Sequence, residues 1–103
     1  MKRVFVIVLD SCGIGFEPDA ADFGDVGADT LRTCSQSPKF AMPNLISMGL
    51  GNLDGVDYLP KTDKPTAALA RLQERSRGKD TTIGHWELAG IVSPEPLPTF
   101  PHG

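Results

Sequence analysis

Within the stretch Lys79-Asp80-Thr81-Thr82-Ile83-Gly84-His85-Trp86-Glu87 stand two hydroxyls, two carboxylates, an imidazole and an ammonium group, with one glycine to bend around. That density suits group transfer: a threonine hydroxyl becomes a nucleophile once a base or a metal takes its proton, and a helix N-terminus beside it can hold a phosphate on unpaired amides. Far upstream, the run Val4 to Leu9 ends on Asp10-Ser11-Cys12-Gly13-Ile14-Gly15. An aspartate that terminates a strand points into the crevice where open α/β sheets bind ligands. A hard cation held there neutralises phosphate charge and lowers the nucleophile's pKa. Asp10 is therefore a metal-ligand candidate, and Thr81 and Thr82 are nucleophile candidates.

Each of these residues also has a structural reading. Asp-Ser commonly closes a turn with its side chain, and a threonine ahead of a short helix is an ordinary N-cap. Spacing does not choose between Thr81 and Thr82. His85 and Glu87, two residues apart, do not share a helix face, and no HExxH pattern is present. His85-Trp86 reads as a packed, hydrogen-bonded pair, with Trp86 as core or pocket wall. Cys12 has no evident histidine partner and reads as an inert loop thiol. Asp19, Asp22, Asp25 and Asp29 could form an acidic metal patch, but they lack EF-hand spacing and most read as solvated. Arg71, Arg75, Arg77 and Lys79, interrupted by Glu74, form either a solvated face or a phosphate-facing rim.

The elements that must position these groups follow from the apolar pattern. Val4-Phe5-Val6-Ile7-Val8-Leu9 is continuously apolar and β-branched, which predicts a strand buried on both faces in a parallel sheet. Residues 10–27 hold four glycines and a proline and predict an irregular loop. Asp29 or Thr30 caps a short helix to about Cys34, and Pro43 opens a second that Gly49 and Gly51 stop. Residues 54–64 predict loop, Thr66 to Leu72 a second strand, and Thr82 or Gly84 to Ala89 a helix ending at Gly90. The proline-rich residues 93–103 predict an extended tail. A strand buried on both faces needs neighbours and two helical layers, so the core is incomplete: either oligomer mates complete it, or, the favoured reading, the chain is the N-terminal piece of a larger α/β protein.

The bulk numbers bound the rest. A chain of 103 residues holds one small domain. Its net charge of −3 argues against a nucleic-acid surface, which needs clustered lysine and arginine. Cys12 and Cys34 form no CxxC and suit reduced thiols in the cytoplasm. The apolar run after Lys2-Arg3 is too short for a signal peptide, and no stretch reaches the ~20 apolar residues of a membrane span.

Three blocks taken together resemble a known family: Asp10-Ser11-Cys12-Gly13-Ile14-Gly15 with Asp19-Ala20, Phe23-Gly24-Asp25 and Gly27-Ala28-Asp29-Thr30; Met42-Pro43-Asn44-Leu45 with Gly49-Leu50-Gly51; and Gly78-Lys79-Asp80-Thr81 with Gly84-His85-Trp86-Glu87. They are similar, in order and over nearly the whole chain, to the N-terminal region of bacterial phosphopentomutases, members of the alkaline phosphatase superfamily. The resemblance implies a parallel-sheet α/β core interrupted by a cap domain, with residues 1–103 forming the N-terminal segment of the metal-binding core and lacking both the cap and the C-terminal half. It implies interconversion of ribose or deoxyribose 1-phosphate and 5-phosphate with two manganese ions, Asp10 as a metal ligand and Thr81 as the phosphoryl carrier. Ile83 departs from the family, which commonly has Thr or Ser there. The family's further Asp and His ligands are not matched by His85 or His102, so the chain by itself is expected to be inactive. A related phosphatase or phosphoglycerate mutase would share the strand, Asp and hydroxyl, but not the GHWE block. A haloacid-dehalogenase-type enzyme would need a second Asp where Cys12 stands. A non-catalytic or phosphate-binding module is the remaining alternative.

Overall fold

The computed structural model describes residues 1–100 of the chain, so His102 lies outside the described residues. Two compact units succeed one another, one spanning residues 1–71 and one beginning at Leu72. Among the described residues four short helices carry the regular structure: α1 (Ala20–Phe23), α2 (Thr30–Ser35) and α3 (Pro43–Met48) in the first unit, and α4 (Thr81–Leu88) in the second. A 3₁₀ turn, Leu50–Asn52, follows α3 directly.

The first unit forms its core from loops as much as helices. Leu31, Leu50, Val56 and Leu59 pack together, with Ile14, Phe40, Met42, Leu53 and Tyr58 against them. Leu31 is the buried residue of α2, and Leu50 opens the 3₁₀ turn. At roughly 1.5–3 kcal/mol for each fully buried aliphatic side chain, this cluster is small for a chain of this length.

Helix ends follow the residues that can make them. Asp29 caps α2 by accepting the Arg32 amide at 3.0 Å, as the sequence predicts. Pro43 stands in the first turn of α3, where its missing N–H costs nothing. Gly49 ends that helix at φ 111, a left-handed conformation in which side chains are strained.

Polar clasps hold the loops on this frame. The Thr30 hydroxyl accepts from the Gly13 amide at 3.3 Å and donates to the Ser11 carbonyl at 3.4 Å, while the Leu31 amide donates to the Gly13 carbonyl. Arg71 donates to the carbonyls of Asp54 at 3.2 Å and Ile14 at 3.4 Å. Arg32 spans Asp29 and Asp57 at 3.2 and 2.7 Å and lies 4.4 Å over the Tyr58 ring, whose hydroxyl donates to Asp29.

The predicted sheet is not formed. No strand occurs among the described residues, neither at Val4 to Leu9 nor at Thr66 to Leu72. The side chains of Val4 to Leu9 are 46–89% exposed. A strand exists only through a partner that pairs its amides and carbonyls, and nothing among residues 1–100 supplies one; the apolar run is extended chain without a sheet. The parallel α/β core expected from the sequence is therefore not displayed by this segment. Two smaller corrections concern residues 10–27, which contain the single turn of α1, and Leu50–Asn52, where a 3₁₀ turn continues past Gly49.

Candidate functional site

Asp10 belongs to the first unit and Thr81 to the second. Asp10 is exposed and accepts the Ser11 amide on Oδ1 at 2.8 Å, so it closes its own turn as Asp-Ser commonly does. Ser11 takes φ 57, the one non-glycine residue with positive φ among the described residues. That left-handed conformation costs on the order of 1 kcal/mol, and the clasp of Thr30 on the Ser11 carbonyl helps to hold it. Cys12 and Cys34 are exposed free thiols.

The described residues contain no group of three or more His, Cys, Asp or Glu side chains able to hold a metal ion. Asp10 contributes one carboxylate, whereas a hard divalent cation is held by several oxygen ligands. The donor set present here does not make a manganese site by itself. The acidic run fits that finding: Asp29 is spent as a helix cap and ion-pair partner, its carboxyl raised by burial but lowered more by the Arg32 and Gly15 amides and the Arg32 side chain.

α4 presents the reactive segment with a clear division of faces. At 3.6 residues per turn, Asp80, Ile83, Gly84 and Glu87 fall on one side, and Thr81, His85 and Leu88 on another. Within the helix the burial agrees: Ile83 is wholly buried and Gly84 and Glu87 half-buried, whereas Thr81, His85 and Leu88 are exposed; Asp80, ahead of the first turn, is exposed as well. His85 and Glu87 thus point different ways, as their spacing predicts.

The cap of α4 is Asp80, whose Oδ1 accepts the Ile83 amide at 3.0 Å. Thr81 is not the N-cap that threonine chemistry alone allows; Asp80 precedes it and outranks threonine in that role. Among the described residues neither the Thr81 nor the Thr82 hydroxyl has a hydrogen-bond partner. Thr81 is the first residue of an eight-residue helix, with its hydroxyl exposed beside the amides of the first turn. The imidazole Nδ1 of His85 lies 2.7 Å from the Thr81 carbonyl one turn back. A carbonyl can only accept, so Nδ1 carries the proton in this contact. Trp86 is 43% exposed and is therefore no core residue of this chain.

Glu87 holds the turn that leads into the helix. Its Oε1 accepts the Arg75 amide at 2.7 Å and its Oε2 the Ser76 amide at 2.8 Å. The Ser76 side chain, with these amides and the nearby Lys79 charge, keeps the Glu87 carboxyl below the usual carboxylate range. Ser76, 3% exposed, accepts the Ser93 amide on its hydroxyl at 3.0 Å. Lys79 pairs with Glu74 at 3.2 Å. Gly78 lies so close to Ile83 that a Cβ there would run into the isoleucine side chain and come within 3.2 Å of Asp80 Oδ2. Ile83, where a hydroxyl residue was expected from the resemblance, therefore fills the space under the turn and faces away from Thr81. Sequence reasoning had a signal for Asp80, the better N-cap type, but none for the clamp by Glu87, which depends on contacts eleven and twelve residues back along the chain.

No helix of the described residues is long and apolar enough to cross a membrane. No family model matches the chain. Against curated proteins the match is extensive: the chain is 55% identical over 104 residues to the phosphopentomutase of Lachnoclostridium phytofermentans, 48% to that of Acetivibrio thermocellus and 47% to that of Clostridium kluyveri. In each case the alignment covers 100% of this chain and 27% of the relative, so the chain spans about a quarter of the length of the curated relatives it matches. From its first residue to its last, this sequence is similar to phosphopentomutases.

Proposed function

We propose that this chain is the N-terminal part of a phosphopentomutase, an isomerase that interconverts ribose or deoxyribose 1-phosphate and 5-phosphate, with Thr81 as its phosphoryl carrier. The observation that carries this reading is the chain-long similarity to phosphopentomutases, at 44–55% identity. The setting of Thr81 supports the assignment of the carrier: an exposed hydroxyl at the first residue of α4, released from capping by Asp80. Backbone amides of a first turn have no partner inside the helix; Asp80 takes that of Ile83, and the others favour an anion beside the hydroxyl.

The reaction balances on this one residue. Phosphorylated Thr81 gives its phosphoryl group to the free hydroxyl of a pentose phosphate: the Oγ1–P bond breaks, a sugar O–P bond forms, and the proton of the sugar hydroxyl ends on Thr81. The product is a pentose bisphosphate. Transfer of the other phosphoryl group back to Thr81 releases the isomeric pentose phosphate and restores the carrier. Asp10 is proposed as one ligand of two manganese ions in the complete protein, whose charge neutralises the transferring group. The other ligands, the cap and the remaining sheet lie outside these 103 residues in this reading, and the isolated chain does not turn over. Free, exposed Cys12 and Cys34 support a cytoplasmic setting, where thiols stay reduced.

Phosphopeptide mapping of the complete protein, isolated after exposure to a pentose bisphosphate, tests the carrier. Phosphate on Thr81 is expected; phosphate reproducibly on Thr82, with Thr81 unmodified, overturns it.

A further inference from the structure

We infer that Glu87 is a positioning residue for Thr81: its carboxylate clamps the Arg75–Ser76 turn to the inner face of α4 and so fixes the helix N-terminus that presents the hydroxyl. The inference rests on the reading of Thr81 as phosphoryl carrier and adds a residue to it. Six residues separate the two side chains, about 9 Å along the helix axis and roughly 120° around it. Glu87 therefore acts on Thr81 only through what it holds.

What it holds is the approach to Thr81. Both carboxylate oxygens are engaged, one by the Arg75 amide at 2.7 Å and one by the Ser76 amide at 2.8 Å. Charge-assisted bonds of this length are roughly twice as strong as neutral ones. The clamped Ser76 side chain is itself anchored, accepting the Ser93 amide at 3.0 Å, and the Arg77 amide donates to the Ser93 carbonyl at 3.3 Å. From there the chain has no slack: Gly78 lies against Ile83, and Asp80 caps the helix through the Ile83 amide at 3.0 Å. Clamp, glycine contact and cap all meet α4 on the face opposite to exposed Thr81 and His85. Releasing the clamp frees the turn that aims the first helical residue, and a displacement near 1 Å of a reacting group can cost about a hundredfold in rate.

The test compares Glu87→Ala, Glu87→Gln and Thr81→Ala in the complete protein. Glu87→Ala is expected to lower kcat about 10- to 100-fold with KM within about twofold, and to speed hydrogen exchange at the Arg75 and Ser76 amides. Glu87→Gln keeps one carbonyl oxygen as acceptor and should recover part of that kcat, a rescue that overall stability alone would not order. A kcat for Glu87→Ala within about twofold of the parent, with the two amides exchanging faster, overturns the inference. So does a loss of kcat no larger than the loss of folded protein measured by circular dichroism on the same sample. If Thr81→Ala retains turnover, the carrier reading fails and the inference falls with it; if Thr81→Ala is silent while Glu87→Ala is unimpaired, the positioning role alone is removed.

Discussion

Two carboxylates in this chain stabilise by being ionised, and the pH direction follows from their partners. Glu87 is held below the usual range by the Ser76 side chain and the Arg75 and Ser76 amides. In Asp29, burial works the other way and is outweighed by the Arg32 and Gly15 amides, the Arg32 side chain and the Tyr58 hydroxyl. A carboxyl whose folded pKa is depressed binds fewer protons folded than unfolded, so its stabilisation is present above the unfolded value, near 4. It is lost as pH falls through the folded value. The turn at Arg75–Ser76 should therefore open on acidification from about pH 5 towards pH 3, read as faster amide exchange corrected for its intrinsic pH dependence. Glu87→Gln should show no such acid-specific opening at those amides, and an unchanged pH slope in that variant would remove Glu87 as its cause. For the reacting residue itself, Thr81→Ala in the complete protein should abolish isomerisation by on the order of a thousandfold or more. A purified Thr81→Ala enzyme with near-parental kcat would contradict the carrier role.

α4 shows how much a helix can reveal about the glycines around and within it. Gly78, outside the helix, has no room for a Cβ against Ile83, whereas Gly84, inside it, has nothing within 4 Å of the position a Cβ would take. Gly78→Ala should destabilise the turn by roughly 1–3 kcal/mol through overpacking. Gly84→Ala should stabilise the helix by about 0.5–1 kcal/mol, because a helical glycine gives up more backbone freedom than alanine. Amide exchange across residues 83–88 separates the two: slower by about three- to fivefold in Gly84→Ala and faster in Gly78→Ala, the reverse order being incompatible with this packing. At this scale the sequence was legible wherever a residue type acts on its own neighbours. Asp29 caps α2, Pro43 opens α3 and Gly90 follows α4, because capping and helix breaking are decided within a turn. Val4 to Leu9 and Thr66 to Leu72 have the side-chain types of strands, but strands depend on partners distant in the chain, and the described residues offer none. Of the candidate site, Asp10 and the threonines could be named from chemistry and resemblance. Asp80 carried a local signal as the better N-cap type, whereas Glu87 emerged only from its bonds to the Arg75 and Ser76 amides.

At the scale of the whole chain, the division of labour is uneven. The first unit has a core of four buried side chains and a set of polar clasps, and the second is organised around one fully buried isoleucine. Asp10 alone does not assemble a metal site, so purified residues 1–103 with manganese and ribose 1-phosphate are expected to form no ribose 5-phosphate, measured by a coupled assay against a complete phosphopentomutase. Turnover well above the enzyme-free rate would mean that the activity does not need the rest of the relatives' length. The exposed run Val4 to Leu9 has a separate consequence, for how this polypeptide behaves when concentrated. Six consecutive uncharged residues, rich in valine and isoleucine and free of proline and glycine, have the composition of segments that stack into cross-β fibrils. Their amides have no sheet to join, and like copies are chemically self-complementary. Solutions of the 103-residue chain should therefore develop thioflavin-positive, concentration-dependent assemblies, which Ile7→Lys suppresses by placing a charge in the repeating stack. Clear, monomeric solutions at several hundred micromolar would show that the run is shielded from its own copies by something other than a folded sheet.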